Sequence, residues 1–153
     1  MVTAWEILNR EKLAGPNVLI VGGGMVGCET AEFLALEGHR VTLVEMLPEL
    51  ARDVAASSKV FLLERLRASG IETQTGVSVQ EFLEDGVLAS KDGQEIRLAG
   101  FDTVTLAMGA TPVNPLQEEL QGKVAELYVI SDAVSPRQAL EAVKEGARVG
   151  VKL

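Results

Sequence analysis

The chain has 153 residues, of which 47% are hydrophobic, and it carries a formal net charge of −8 at pH 7. This length and hydrophobic content suit one domain with a buried core, and the acidic balance argues against a nucleic-acid partner, because neutralising phosphates requires a basic face. Cys28 is the single cysteine, which excludes an internal disulfide framework and a multi-cysteine metal or iron–sulfur site within this chain. A reducing, cytoplasmic setting is expected, and no apolar run approaches the roughly 18 to 20 residues of a membrane span.

The first half of the chain alternates predicted strands and helices. Thr3 and Glu6 form a capping box that begins a short helix, which Gly15 and Pro16 end, so residues 1–16 are a lead-in. In chain order, the next elements are a strand at 18–21, a helix carrying Gly27, Ala31 and Leu34, a strand at 41–44, a helix carrying Leu62 and Leu66, and a strand at 71–75. This order predicts a βαβαβ unit with a parallel sheet.

The middle of the chain has a different, alternating pattern. Apolar residues alternate on either side of a Lys-Asp-Gly-Gln turn at 91–94, which predicts a small antiparallel β-meander. A buried strand returns at 103–107 and ends at Gly109, and prolines then break the chain. We therefore expect an α/β, Rossmann-like fold, with a parallel sheet covered by helices on both faces and an NAD-binding domain over residues 17–114.

Residues 115–153 form a tail beyond this break. Leu127 to Ile130 is predicted to form a strand, and Ser135, Pro136 and Gln138 supply the capping pattern of a last helix. The apolar stripe of that helix consists of Leu140, Val143, Ala147 and Val151. Because burying a large apolar side chain is worth about 1.5 to 3 kcal/mol, we expect the stripe to be packed. The strand is expected to add to the chain's own sheet beside 103–107, with a strand-swapped homodimer as the alternative.

A glycine loop with the pattern G-x-G-x-x-G lies at residues 22–27. Three glycines alone suit any tight turn, but here the loop follows an apolar strand and begins a helix, which favours a dinucleotide site. Gly22 permits the tight turn, Gly24 allows a pyrophosphate close to the backbone, and Gly27 allows the helix to pack closely on the sheet. The phosphates would then meet free amides at the positive end of the helix.

Glu45 ends the second predicted strand, about 20 residues after the glycine loop begins. A carboxylate in this position accepts hydrogen bonds from the 2′-hydroxyl of an adenosine ribose and repels a 2′-phosphate. Met46 and Leu47 supply no cation, and the nearest basic residue downstream is Arg52. The sequence therefore predicts NAD(H) in preference to NADP(H).

The segment VLIVGGGMVGCETAEFLALEGHRVTLVE resembles the NAD(P)-binding domain of FAD-dependent pyridine-nucleotide oxidoreductases. It is most similar to the family of NADH:flavin oxidoreductases, 2,4-dienoyl-CoA reductases and trimethylamine dehydrogenases, over nearly the whole chain. The resemblance places Glu29 near the nicotinamide. With the loop and the strand-end acid, the candidate cofactor-binding residues are Gly22, Gly23, Gly24, Met25, Val26, Gly27, Glu29, Glu45, Gly109 and Asp132.

The tail sequence LYVISDAVSPRQALEAVKEGARVG resembles the second FAD motif of that family. The resemblance implies that Asp132 hydrogen-bonds the ribityl chain of FAD; Ser131 stands where glycine is usual. In the isolated chain, the simpler interpretation of Asp132 is a turn residue. Since the first FAD glycine loop has no counterpart, residues 115–153 are interpreted as the C-terminal remnant of an FAD-binding domain. FAD would bind only in a larger parent enzyme, to which the resemblance also assigns FMN and an iron–sulfur cluster.

The preferred hypothesis is an NADH-binding module that delivers hydride to a flavin of a larger oxidoreductase. Its partners are then the dinucleotide and the rest of the parent flavoenzyme. The sequence offers no convincing general base, so no catalytic or metal-binding residue is assigned, and the isolated chain is expected to be inactive. A redox-inactive nucleotide-sensing or interaction module would need only the loop and Glu45. An S-adenosylmethionine-dependent methyltransferase uses a similar loop and acid, but the meander and the tail argue against it.

Overall fold

The computed structural model describes residues 1–153, which divide into two compact units, Met1–Gly109 and Ala110–Leu153. The first unit contains, in chain order, β1 (Val2–Thr3), α1 (Ala4–Leu8), β2 (Asn17–Val21), α2 (Met25–Leu36), β3 (Arg40–Glu45), α3 (Ala56–Ala68), β4 (Glu72–Thr75), β5 (Val77–Leu83), β6 (Gly86–Lys91), β7 (Gln94–Ala99) and β8 (Thr103–Leu106). The second contains α4 (Pro115–Leu120), a 3₁₀ turn (Ser131–Ala133) and α5 (Ala139–Gly150). None of the helices is both long enough and apolar enough to cross a membrane.

The main sheet has five parallel strands in the order β1-β8-β2-β3-β4, which confirms the predicted Rossmann-like sheet. At the carboxyl ends of the central strands, Val21 of β2 lies beside Val44 of β3 and Leu106 of β8. The residues that follow β2 and β3 therefore meet at one edge of the sheet. This is the edge where ligands bind in folds of this kind.

The two faces of the sheet are covered by different structures. One face packs under the three helices, in a cluster that includes Ile7, Val18, Ile20, Ala31, Leu34, Val41, Leu43, Leu62 and Leu66. The other packs against the antiparallel sheet, in a cluster of Leu19, Val21, Val44, Val77, Val87, Ala89 and Val104. The α/β class is confirmed, but the expected helices are found on one face only. The connection from β4 to β8 is a meander, and its antiparallel sheet covers the other face in place of a helical layer.

The antiparallel meander, with strand order β5-β6-β7, is confirmed. Lys91 pairs with Gln94 across a two-residue turn in which Asp92 and Gly93 have φ of 52° and 76°. Positive φ at both central residues is the geometry whose twist suits an antiparallel hairpin. The predicted capping box is also present, because the Glu6 amide donates to Thr3 Oγ1 and the Thr3 amide donates to Glu6 Oε2.

The strand predicted at Leu127 to Ile130 is wrong, because these residues pair with no strand. The sheet edge beside β8, to which it was expected to add, is already taken by β1 through the pairs Val2 with Thr105 and Thr3 with Leu106. The sequence predicts only a helical lead-in for residues 1–16. An extended segment without a partner leaves its backbone groups unpaired and does not persist as a strand.

The last helix begins at Ala139 after the N-cap Gln138, which lies three residues later than the predicted N-cap Ser135. The carboxylate of Asp132 accepts a hydrogen bond from the Arg137 amide, and this local bond holds the intervening residues in a turn. The expected packing of the apolar stripe is also wrong: Leu140, Val143 and Val151 are 57%, 68% and 89% exposed, and Ala147 is exposed as well. A unit of this size cannot surround a helix face with its own residues.

Candidate functional site

The glycine loop leaves β2 through a turn that only glycine fits. Gly22 has a φ of +108°, and its amide donates to the carbonyl of Val44 at 2.9 Å. A Cβ on Gly22 would overlap the carbonyl of Ala107, which follows β8. The loop is thus confined between the ends of β3 and β8.

Helix α2 begins close against this loop. A Cβ on Gly27 would overlap the carbonyl oxygen of Gly22, so the first turn of the helix touches the backbone of the loop directly. Gly24 is the N-cap residue and contributes no side-chain cap. The first intrahelical bond runs from the Cys28 amide to the Gly24 carbonyl at 2.9 Å, which leaves the amides of Met25, Val26 and Gly27 without an intrahelical acceptor. These amides form the positive end of the helix.

Asp53 supplies an anion at this helix end. Its two carboxylate oxygens lie 2.9 and 3.1 Å from the amide nitrogen of Met25, which donates to them. Helix α2 has no acidic residue in its own first turn, so this negative charge comes from the loop between β3 and α3. The carboxylate stands where a phosphate oxygen would accept the same hydrogen bond.

Glu45 lies at the end of β3, as the sequence indicated, and its side chain reaches the glycine loop. The residue is 9% exposed. Oε2 accepts a hydrogen bond from the Gly23 amide at 2.6 Å, and Oε1 accepts one from the Leu47 amide at 2.8 Å. The carboxylate therefore fixes the loop to the end of β3. Each oxygen retains a lone pair for a further donor, such as a ribose hydroxyl.

Cys28 lies beneath the loop and is chemically quiet. Its thiol is buried and donates a weak hydrogen bond to the Gly23 carbonyl, with the sulfur 3.4 Å from the oxygen. Burial, followed by the negative charge of Asp53, raises the pKa of the thiol to about 11. The thiol stays protonated at neutral pH and acts as a small packing residue.

The remaining candidate residues are distributed between the two units. Glu29 is exposed on α2, one turn after Met25, and Gly109, with a φ of +93°, is the last residue of the first unit. Asp132 belongs to the second unit, where its carboxylate accepts the Arg137 amide at 3.2 Å. The structure therefore joins the glycine loop to Glu45, while Glu29 lies one turn further along α2 and Asp132 belongs to the second unit.

Asp53 and the residues that hold it are not among the site residues predicted from the sequence. Leu50 and Ala51 are buried, and the Ala51 amide donates to the Gly23 carbonyl at 2.7 Å. The sequence did carry one signal. An acid follows the strand-end Glu45 within ten residues, and α2, the helix after the glycine loop, begins without a capping side chain of its own. That signal becomes specific only when the loop between β3 and α3 is seen to fold back.

Residues 2–146 match the pyridine nucleotide-disulphide oxidoreductase family, and the chain belongs to this family. It is 37% identical over 150 residues to an NADH oxidase of Thermoanaerobacter brockii, a match that covers 95% of this chain and 23% of that protein. It is 30% identical over 181 residues to a metal reductase of Desulforamulus reducens, covering 99% of this chain and 27% of the relative.

A solved structure of 2-naphthoyl-CoA reductase is similar to the whole chain. The TM-score is 0.88 at 26% identity, and the match covers 99% of this chain and 23% of the reductase. Histamine dehydrogenase of Rhizobium sp. 4-9 shares the fold with a TM-score of 0.88 at 20% identity, covering 100% of this chain and 26% of that chain. The chain thus spans about a quarter of the length of the proteins that it matches.

The residues present fit a dinucleotide. Three amides at the start of α2 are positioned for phosphate oxygens, and one of them already holds a carboxylate oxygen of Asp53. The buried carboxylate of Glu45 lies at the adjacent strand end, where an adenosine ribose would be recognised.

Proposed function

We propose that this chain is the NADH-binding module of a larger FAD-dependent oxidoreductase. The observation that carries the proposal is the joining of the glycine loop to Glu45 by the hydrogen bond from the Gly23 amide, at the carboxyl edge of a parallel sheet. A glycine turn without a ligand does not need a buried carboxylate at its side. Membership of the pyridine nucleotide-disulphide oxidoreductase family supports the same assignment.

Each part of the site has a distinct task. The amides of Met25, Val26 and Gly27 bind the pyrophosphate, and the absence of side chains at Gly22 and Gly24 lets the cofactor approach the backbone. The carboxylate of Glu45 accepts the ribose hydroxyls and holds the loop in place through its bond to Gly23. When bound, NADH would supply a hydride, and the residues of this chain would bind and orient the cofactor.

The proposal extends to the parent protein, which we infer to be a flavoenzyme of the NADH:flavin oxidoreductase and 2,4-dienoyl-CoA reductase group. Relatives about four times longer than this chain, one named an NADH oxidase and another a 2-naphthoyl-CoA reductase, support a modular parent. FAD, with FMN and an iron–sulfur cluster, would be held outside this chain, and Asp132 would contact FAD only there. This chain would then bind and orient NADH, and the flavin that would accept its hydride would be held outside this chain.

The direct test is calorimetric titration of the chain with NADH and with NADPH. We expect NADH to bind more tightly, by on the order of tenfold, because the Glu45 carboxylate repels a 2′-phosphate at close range. Glu45→Gln removes the negative charge and keeps one oxygen as an acceptor. It should reduce the ratio of the two dissociation constants towards one, whatever it does to overall affinity.

The ratio is the informative quantity, because Glu45 also supports the loop and its loss weakens both cofactors together. Glu72→Gln is the matched control, since Glu72 is an exposed acid on the neighbouring strand β4. In the sheet it lies beside Thr42, away from the end of β3 where Glu45 lies. Equal binding of NADH and NADPH by the unaltered chain would contradict the role of Glu45. Failure of both cofactors to bind would contradict the proposed function itself.

A further inference from the structure

The Asp53 carboxylate lies at an amide that the proposed cofactor also needs. Both of its oxygens face the amide of Met25, the first residue of α2, at 2.9 and 3.1 Å. Asp53 is exposed, and its position depends on the loop of residues 46–55 between β3 and α3. The contact therefore joins two segments 28 residues apart in the sequence.

The loop is fastened to the glycine loop at a second point. The Ala51 amide donates to the Gly23 carbonyl at 2.7 Å, and the Val54 amide donates to the Ala51 carbonyl at 3.2 Å. Ala51 is fully buried with a φ of +50°, a conformation that costs energy for a residue with a Cβ. The surrounding contacts maintain this strained turn, and the turn delivers Asp53 to the end of the helix.

The arrangement sets two anions in competition. A dinucleotide pyrophosphate carries two negative charges and accepts hydrogen bonds from the first amides of the helix. One N–H donates one strong hydrogen bond, so a phosphate oxygen at Met25 displaces the carboxylate. A carboxylate left beside the pyrophosphate would repel it at a distance where charges interact appreciably.

We propose that Asp53 is an internal competitor of the dinucleotide: it occupies the Met25 amide in the ligand-free protein and is displaced when the cofactor binds. The inference rests on the proposed function and adds a residue that sets the affinity of that site. By capping α2 with a carboxylate, Asp53 stabilises the ligand-free state. The same contact lowers affinity, because binding must first break it.

This dual role predicts effects of opposite sign. Asp53→Asn removes the charge and keeps an oxygen that accepts the Met25 amide, and Asp53→Ala removes both. Each variant should bind NADH about three- to tenfold more tightly than the unaltered chain. The melting temperature of the ligand-free protein should fall for Asp53→Ala, since the uncapped helix end loses a stabilising anion. A residue with only a structural role would lower affinity and stability together.

The experiment is calorimetric titration with NADH of the 153-residue chain and its variants, with melting temperatures measured without ligand. Glu49→Gln is the matched control, because Glu49 belongs to the same loop and pairs with Lys59 at 3.1 Å rather than with the glycine loop. It removes the same charge and should leave the NADH dissociation constant within about twofold of the starting value.

The outcomes separate the two proposals. If the unaltered chain binds NADH and neither Asp53 variant binds more tightly, the competitor role is wrong and the proposed function stands. If Glu49→Gln tightens binding as much as Asp53→Asn, general charge rather than the Met25 contact sets the affinity, and the role is again wrong. If NADH binds to no form of the chain, the proposed function fails and the competitor role falls with it.

Discussion

The two units of this chain differ in what they bury. Met1–Gly109 has an apolar cluster on each face of its sheet, whereas no residue from 110 to 153 is buried. Leu43 of β3 is fully buried, and Leu140 of α5 is 57% exposed. Because the burial of apolar surface is the dominant favourable term in folding, the first unit contains its own main source of stability and the second does not.

The second unit is organised mainly by polar contacts. Glu145 accepts the Ser131 amide at 2.6 Å and also pairs with the Arg137 guanidinium. Isolated helices as short as α5 are marginally stable in water. Polar contacts therefore contribute a larger share of the stability in the second unit than in the first. The comparison teaches that an amphipathic pattern predicts a helix without indicating what covers its apolar face.

The largest expected effect is on the free energy of unfolding, when a leucine in each unit is replaced by alanine. Leu43→Ala should lower the free energy of unfolding by about 2 to 5 kcal/mol, because it removes buried methyl groups and leaves a cavity. Leu140→Ala should change it by less than about 0.5 kcal/mol, since its side chain is mostly in water. Chemical denaturation followed by circular dichroism measures both values. Similar losses at the two positions would show that α5 is packed in solution.

Much of the fold was predictable because local signals agreed with the global arrangement. The unbroken apolar run of β2, the apolar residues of β3 and the Asp92-Gly93 turn each led to the element observed. The predicted strand failed because pairing partners lie far apart in sequence. Leu127 to Ile130 has suitable residues for a strand, but the edge beside β8 belongs to β1. For the same reason, the sequence did not indicate that the meander covers the second face of the main sheet.

The candidate site also has a part that the sequence predicts and a part that it does not. The positions of the glycine loop and Glu45 follow from the carboxyl ends of adjacent parallel strands, which any Rossmann-like sheet brings together. The bonds from the Gly23 amide to Glu45 and from the Met25 amide to Asp53 are tertiary contacts. The contact with Asp53 depends on how a ten-residue loop folds back, and no periodicity in the sequence encodes that.

A smaller effect tests how completely the first unit satisfies its polar groups. The Thr105 hydroxyl in β8 is buried without a hydrogen-bond partner, so Thr105→Val should raise the free energy of unfolding by about 1 kcal/mol. In the same strand, Thr103 Oγ1 accepts the Gly15 amide at 2.9 Å, and Thr103→Val should lower that free energy by about 1 kcal/mol. Opposite signs for one chemical change are the expected result of denaturant titrations. A loss at position 105 as large as that at 103 would mean that its hydroxyl finds a partner in solution.

The smallest effect concerns the polar contacts of the second unit. The hydrogen bond from the Ser131 amide, followed by that from Arg137, holds the pKa of Glu145 below its ordinary value of 4.5. A lowered folded pKa means that the contact is fully formed above the ordinary value and is lost as the pH falls below it, through the folded pKa. The Ser131 amide proton should therefore shift in NMR spectra with a midpoint below the ordinary glutamate value. Glu145→Gln keeps an acceptor that does not titrate and should abolish the transition, whereas a midpoint at or above the ordinary value would show that Glu145 is solvated and that the turn is not held by it.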